Sequence, residues 1–132
     1  MKMLKTLLFV SLALLTSLPA AVTTGASAPA FTVLDSTGAE RALSDFAGQY
    51  VVLEWTRHNC PFVVKYYQQG DMQALQKKLT AAGAVWLQVA SSAPSKTGYL
   101  SAEAIEALRS STGTQATATL LDSDGKMGRA YG

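Results

Sequence analysis

The sequence predicts a single α/β domain built on a parallel sheet. Two runs of β-branched and aromatic residues, at 50–55 (YVVLEW) and 84–90 (AVWLQVA), are typical of strands that are buried on both faces. One helical segment separates them, and a right-handed crossover through that helix makes the two strands parallel. The roughly 110 residues that follow an N-terminal targeting segment are enough for one hydrophobic core and too few for two.

The targeting segment, residues 1–21, has the pattern of a secretory signal peptide. Two lysines precede an apolar run over residues 7–18, and small residues follow it. The run is shorter than the roughly 20 apolar residues that span a bilayer, so we expect cleavage near Ala20 or Ala21 rather than a permanent anchor. The mature chain is then exported, to the periplasm or the extracellular space, and meets a membrane only through its signal peptide.

The charge balance argues against a nucleic-acid partner. The chain carries 11 Lys and Arg against 9 Asp and Glu, and two of the lysines lie in the targeting segment. The mature chain is therefore close to neutral, and it lacks the clustered basic charge of nucleic-acid-binding domains.

The first elements of the domain have clear local signals. Two short extended runs flank residues 36–38 (STG), which predicts a hairpin. Residues 43–48 (LSDFAG) predict a compact turn that leads into the first buried strand.

The segment after Cys60 predicts an amphipathic helix that ends at Gly83. Apolar residues recur along it at spacings of three and four: Met72, Leu75, Leu79 and Ala82. Gly70 and Asp71 interrupt this pattern, so we expect the helix to be divided there, with Asp71 capping its second part.

The last third of the chain continues the alternation of helices and strands. A loop over 91–99, rich in Ser, Pro and Gly, leads to a helix that Ser101 caps and that turns Ala104, Ile105 and Leu108 to the sheet. Residues 117–121 predict a third strand. We interpret residues 122–125 (DSDG) as a turn and not as a calcium loop, because the further ligands of such a loop are absent.

The only cysteine, Cys60, is the candidate functional residue. It follows the first buried strand, and open α/β sheets carry their sites beyond the carboxyl ends of the strands. Pro61 fits a first helical turn, so Cys60 lies at the helix start, near unpaired amides and the positive end of the helix. Arg57 and His58 add positive charge, and such surroundings favour a reactive thiolate. A lone cysteine also excludes an internal disulfide.

Each candidate residue has a second, structural interpretation. His58 can assist proton transfer or lie on a solvated loop, and Arg57 can stabilise charge or be an ordinary surface residue. Glu54 is either a buried proton acceptor or an outward carboxylate paired with a lysine. Cys60 can be a small buried hydrophobe, in which case the protein is a binding module with, at most, a weak metal ligand.

Four stretches of the chain bear a joint resemblance to a known family: 28–55, 59–67 (NCPFVVKYY), 84–94 (AVWLQVASSAP) and 119–132 (TLLDSDGKMGRAYG). Together they resemble the redoxin branch of the thioredoxin-fold superfamily, the AhpC/TSA group, over residues 28–132. The resemblance implies a thioredoxin-like fold with an amino-terminal β-hairpin extension. It also implies a domain that is incomplete at its C-terminus, because the family continues into a cis-proline, an antiparallel hairpin and a last helix. We therefore expect poor expression or partial unfolding of the 132-residue form.

Within this resemblance, Cys60 matches the first cysteine of the thioredoxin C-x-x-C motif, and Val63 stands where the second would be. Glu54 matches thioredoxin's buried acid. Leu53 and Arg57 replace the proline and the Thr or Ser of the peroxiredoxin motif, so the chain resembles the peroxiredoxin-like subgroup that keeps one cysteine. The resemblance implies an antioxidant thiol oxidoreductase without a cofactor. Its substrate is a peroxide or a disulfide, and an external thiol or a thioredoxin-like protein reduces it.

Overall fold

The computed structural model describes residues 22–132, and the predicted signal peptide lies outside this range. The α/β prediction is confirmed. The elements in chain order are β1 (Thr32–Leu34), β2 (Glu40–Ala42), a short 3-10 helix (Leu43–Phe46), β3 (Val51–Trp55), α1 (Pro61–Gln69), α2 (Asp71–Ala81), β4 (Val85–Ala90), α3 (Ala102–Thr112), β5 (Ala118–Leu121) and α4 (Lys126–Tyr131). None of the helices in 22–132 is long and apolar enough to cross a membrane.

The central sheet has the strand order β3-β4-β5, and both neighbouring pairs are parallel, as the crossover predicts. β4 lies in the middle, and its successive side chains point alternately to the two faces of the sheet. One face contributes Val85, Leu87 and Val89 to the apolar core, where they meet Leu120 of β5. The opposite face of β4 carries Trp86 and Gln88, which hydrogen-bond to side chains beneath the helices.

β3 differs from its prediction as a strand buried on both faces. Residues 51–54 are only half-buried, and Trp55 is exposed. Among residues 22–132, β3 is hydrogen-bonded to β4 on one side and to no strand on the other. The apolar composition of this segment therefore predicted a strand correctly. It did not predict that the strand lies at the edge of the sheet, where solvent reaches it.

The predicted hairpin forms and lies against the opposite edge of the sheet. β1 and β2 pair antiparallel, and the buried Asp35 carboxylate accepts a hydrogen bond from Arg41 Nε at 2.8 Å. The Ser36 amide donates to the Thr119 carbonyl at 2.9 Å, and Asp35 forms an isolated bridge with Leu120. The hairpin thus partly covers the outer edge of β5.

The helix after Cys60 is divided at Gly70, as predicted, because Gly70 adopts a left-handed conformation with φ of 81°. Asp71 does not cap the second part: it is the first residue of α2, and its side chain makes no capping hydrogen bond. The buried face also differs from the apolar pattern. Gln76 is fully buried whereas Leu75 is 43% exposed, because both ends of the Gln76 amide hydrogen-bond to neighbouring elements.

The predictions for the last third agree with the structure. The Ser101 side chain caps α3 by accepting a hydrogen bond from the Ala104 amide at 3.3 Å, and Ile105 is buried. Residues 122–125 form a turn, which Asp122 stabilises by accepting hydrogen bonds from two amides at the start of α4.

Candidate functional site

Cys60 begins α1 at the carboxyl end of β3. It is the N-cap residue, with extended backbone angles (φ −75°, ψ 123°), and Pro61 occupies the first helical turn. Proline is favoured there because its missing N–H leaves no helical hydrogen bond unmade and its fixed φ suits a helix start. The chain from Trp55 to Cys60 therefore brings the thiol to the edge of the sheet, as the sequence predicts.

The surroundings of Cys60 stabilise its thiolate. The side chain makes no regular capping hydrogen bond, yet the backbone amides of Val63 and then Phe62 lower the pKa of the thiol. Partial burial opposes this effect, and the positive charge of Arg57 adds to it. Unpaired amides at a helix start and a nearby guanidinium both favour negative charge, so the direction agrees with elementary electrostatics.

The thiol is half-buried and lines an open cavity of about 350 Å³, here called the thiol cavity. Its lining residues are Trp55, Thr56, Arg57, Cys60, Val63, Ser91 and Ser92. Val63, which replaces the second cysteine of the C-x-x-C motif, forms part of this wall. A small molecule or an extended peptide can therefore approach Cys60 from solvent.

Arg57 is held beside the thiol cavity by the loop after β4. Gly98 has φ of 89°, and a Cβ atom there would lie 2.4 Å from Arg57 Cδ. Only glycine lets the loop pass this close to the arginine stem. In the described part of the chain, Arg57 forms no ion pair with an acidic side chain.

His58 lies away from the thiol cavity, in the lining of a second cavity of about 360 Å³. Its Nδ1 atom is buried and has no hydrogen-bond partner among residues 22–132. The two cavities adjoin, because both are lined by Thr56, Arg57, Val63 and Ser92. The structure thus puts Arg57 beside both cavities, Cys60 beside one and His58 beside the other.

Glu54 is half-buried and its carboxylate accepts hydrogen bonds from three elements. Trp86 Nε1 donates at 2.7 Å, the Tyr67 hydroxyl at 3.0 Å and Gln76 Nε2 at 3.2 Å. This arrangement differs from an outward carboxylate paired with a lysine. None of the Glu54 hydrogen bonds in the described chain reaches Cys60, so the structure does not bring these two candidates into direct contact.

Tyr67 shares this polar cluster, although the sequence did not single it out as a candidate functional residue. Its hydroxyl accepts hydrogen bonds from Gln76 at 2.7 Å and from Gln88 at 2.6 Å while it donates to Glu54. Burial, followed by the charge of Glu54, raises the pKa of Tyr67 to about 12, so the phenol stays protonated at neutral pH. The sequence did contain a signal for this polar cluster, because Gln76 and Gln88 are polar residues inside elements that were predicted to be apolar.

A second set of hydrogen bonds connects the thiol cavity to α4. Trp55 Nε1 donates to Ser91 Oγ at 3.1 Å, and Ser91 Oγ donates to Asp122 Oδ2 at 2.7 Å. The Asp122 side chain is 1% exposed, and its carboxylate also accepts hydrogen bonds from the backbone amides of Met127 and Gly128, both at 2.9 Å. Sequence reasoning missed this link because it joins side chains from three separate segments.

The described residues offer no group of three His, Cys, Asp or Glu side chains that could hold a metal ion.

Several solved structures share this fold. A hypothetical protein from Sinorhizobium meliloti is 20% identical, with a TM-score of 0.74, and the match covers 86% of this chain and 61% of that one. A secreted disulfide oxidoreductase of Mycobacterium tuberculosis is 20% identical, with a TM-score of 0.57 and coverage of 76% and 66%. The bacterioferritin comigratory protein of Xanthomonas campestris, studied for alkyl peroxide reduction, is 20% identical, with a TM-score of 0.58 and coverage of 76% and 58%.

The chain spans about 61% of the length of the Sinorhizobium meliloti protein and about 56% of that of an uncharacterized conserved protein from Geobacillus kaustophilus. No curated protein matches the chain. The sequence pattern of the AhpC/TSA family matches residues 24–132, which includes every element described above. The chain therefore belongs to the AhpC/TSA family and has a thioredoxin-like fold.

Proposed function

We propose that this protein is a thiol-dependent oxidoreductase with antioxidant, peroxiredoxin-like activity, in which Cys60 is the nucleophile. The observation that carries the proposal is the half-buried thiol at the start of α1, where the amides of Val63 and Phe62 and the charge of Arg57 lower its pKa. A thiolate is the reactive form of cysteine, and the open thiol cavity gives a substrate access to it.

With a peroxide, the Cys60 thiolate attacks one oxygen and the O–O bond breaks. Cys60 becomes a sulfenic acid, and the departing alkoxide or hydroxide takes up a proton. With a disulfide, the thiolate attacks one sulfur, the S–S bond breaks, and a mixed disulfide forms while the other sulfur leaves as a thiolate.

External thiols complete the cycle, because the chain has no second cysteine. One thiol condenses with the sulfenic acid, releases water and leaves a mixed disulfide. A second thiol attacks that bond, frees Cys60 and departs in a disulfide with the first. The reductant is thus a small thiol or a thioredoxin-like protein. Arg57 stabilises the thiolate, and His58 and Glu54 are the predicted proton carriers.

Alkylation by iodoacetamide tests the reactive thiol. We expect Cys60 to react at about pH 6 faster than the same cysteine in the unfolded chain, because free thiols ionise only near pH 8.5. Arg57→Gln should move the midpoint of the rate profile to higher pH, since it removes a charge that favours the thiolate.

Lys65→Gln is the matched control for Arg57→Gln: it removes an exposed charge on α1 that does not contribute to the pKa of Cys60. Equal alkylation rates in the folded and unfolded chains at about pH 6 would contradict the proposal.

Cys60→Ser separates this proposal from a catalytically inactive binding module. An oxidoreductase loses its reaction with hydrogen peroxide and with a model disulfide, while a binding module is unchanged in partner affinity. Mass spectrometry after mild peroxide treatment should find oxidation at Cys60 in the parent chain and not in the variant.

We also propose that the protein is exported. The support is the pattern of residues 1–21, where lysines, an apolar run and small residues follow one another. N-terminal sequencing of the secreted or periplasmic protein should begin just after Ala20 or Ala21. A mature protein that keeps Met1 would overturn this proposal.

A further inference from the structure

The larger cavity, which His58 lines, has the size and lining of a small-molecule site. Its volume of about 360 Å³ lies within the range of roughly 300–1,000 Å³ that is typical of ligand pockets. It is bounded by α1, α3 and the carboxyl ends of β4 and β5. Most of its surface is apolar, and the lining includes the aliphatic residues Val64, Leu100, Ile105, Leu108 and Leu121.

The charged side chains that line this cavity are both arginines, and a histidine lies beside them. Arg57, His58 and Arg109 line it, and no aspartate or glutamate does. Arg109 is already engaged: it donates to Thr119 Oγ1 at 2.9 Å and to the Ala116 carbonyl at 3.0 Å. Arg57 has no acidic partner within residues 22–132, so its guanidinium is available to an anion.

The imidazole ring of His58 also lines this cavity. Buried polar atoms in proteins nearly always have a hydrogen-bond partner, and Nδ1 of His58 has none in the described chain. Nδ1 is too deeply buried for a ligand in the cavity to reach it. Because imidazole can carry its proton on either ring nitrogen, the other nitrogen, Nε2, is the one that can donate a hydrogen bond to a carboxylate oxygen. The neighbouring Arg57 can donate to the same group through its planar guanidinium.

We propose that this cavity binds a small apolar carboxylate, with its hydrocarbon part among the aliphatic side chains and its carboxylate held by Arg57 and His58. This site is separate from the nucleophile, because Cys60 does not line the cavity. The inference goes beyond the proposed function, and it does not depend on any reaction of the thiol.

Calorimetric titration of the full chain carrying Cys60→Ser with sodium octanoate tests the site without thiol chemistry. We expect saturable binding of one octanoate, and affinity lower by about tenfold or more for 1-octanol, which lacks the charge. Arg57→Gln and His58→Gln should each weaken octanoate binding, while the control Lys65→Gln should not. Absence of saturable binding, or equal affinities for octanoate and octanol, would overturn the proposal.

Methyl NMR spectra of the Cys60→Ser chain locate the ligand without further substitutions. Octanoate should shift the methyl signals of Val64, Ile105 and Leu108, which line the cavity, and leave that of Leu75, an exposed residue of α2, unchanged. Shifts confined to exposed residues such as Leu75 would mean non-specific surface binding and would contradict the assigned site.

Discussion

Glu54 is a carboxylate surrounded by hydrogen-bond donors, and this determines what its replacement does. Tyr67, Gln76 and Trp86 each direct an O–H or N–H group at its oxygens. A neutral amide can accept at only one end, so part of this arrangement is lost in Glu54→Gln. The charge of Glu54 thus holds α1, α2 and β4 together beneath the site.

Glu54→Gln should lower the free energy of unfolding by about 1–3 kcal/mol, the cost of leaving buried donors without a partner. The midpoint of the Cys60 alkylation profile should not move, because no described hydrogen bond links the two side chains. Urea unfolding and iodoacetamide kinetics measure the two effects, with the exposed Glu40→Gln as control. A shifted midpoint would show that the charge of Glu54 acts on the pKa of the thiol without a hydrogen bond between them.

Asp35 makes stability depend on acid pH. Burial alone raises the pKa of Asp35, but hydrogen bonds from Thr37, Arg41 and the Ala39 amide outweigh it and lower the pKa to about 2, from 3.8. A carboxyl whose pKa is depressed by folding stabilises the native state above its unfolded pKa, and this contribution is lost as pH falls through its folded pKa.

We therefore expect the chain to lose stability between about pH 4 and pH 2. Asp35→Asn should be less stable by about 1–3 kcal/mol at neutral pH and should lose little more in that interval. Urea unfolding at several pH values measures both slopes, with the exposed Asp71→Asn as control. Parallel curves for the parent chain and Asp35→Asn would show that Asp35 does not contribute this pH dependence.

At the scale of elements, β3 has one edge paired with β4 and one edge without a strand in the described chain. The Val85 amide donates to the Tyr50 carbonyl, and the Thr56 amide donates to the Val89 carbonyl. In a parallel pair such bonds recur at every second residue, so Val52 directs its backbone groups to β4 and Leu53 directs its own outward. Unpaired backbone groups on an apolar edge favour association with another strand.

Proline substitutions test this alternation. Val52→Pro should destabilise the protein severely, because it removes an N–H that pairs with β4. Leu53→Pro should keep the fold at a smaller cost in side-chain packing, and should reduce concentration-dependent association because its missing N–H is an outward one. Thermal unfolding and light scattering distinguish the two variants. Equal damage from both would contradict the assigned register.

Local sequence patterns were sufficient to predict the elements that depend only on residues close in sequence. The hairpin around residues 36–38, the buried strand β4, the capping of α3 by Ser101 and the break at Gly70 all follow from turn chemistry, periodicity and helix caps. The position of Cys60 at a helix start followed from Pro61, a neighbour in sequence. These features depend on residues a few positions apart.

The sequence could not predict features that depend on distant partners. Whether β3 is central or lies at an edge depends on which other strand pairs with it, and its composition is the same in both cases. Gln76 is buried in place of Leu75 because its amide meets groups from α1 and from the segment before β5. His58 faces the larger cavity because of the path of its loop, which no periodicity describes.

At the scale of the whole molecule, Asp122 joins the far end of the chain to the candidate site. Its carboxylate accepts hydrogen bonds from two amides at the start of α4 and from the Ser91 hydroxyl. The Ser91 hydroxyl oxygen in turn accepts a hydrogen bond from Trp55 Nε1. Trp55 also packs on Tyr131 of α4 with ring centroids 5.6 Å apart. These contacts thus hold the wall of the thiol cavity and α4 together as one unit.

Asp122→Asn should weaken this unit, because an amide cannot accept hydrogen bonds at both of its ends. We expect faster amide hydrogen exchange at Met127 and Gly128, and a loss of about 1–3 kcal/mol in unfolding free energy. Asp124→Asn is the matched control in the same turn, because asparagine keeps an acceptor for the Lys126 amide and loses the exposed ion pair with the Lys126 side chain. Equal effects of the two substitutions would contradict the role given to Asp122.

Val63, in the wall of the thiol cavity, determines the kinetics of the proposed cycle. A second cysteine at that position would close a ring with oxidised Cys60 at a rate independent of concentration. With valine there, every return to the reduced form waits for a collision with a separate molecule, so the lifetime of oxidised Cys60 varies inversely with the amount of reductant nearby. In the proposed cycle, the fraction of oxidised chains then reflects the balance between the oxidant and the thiol around the chain.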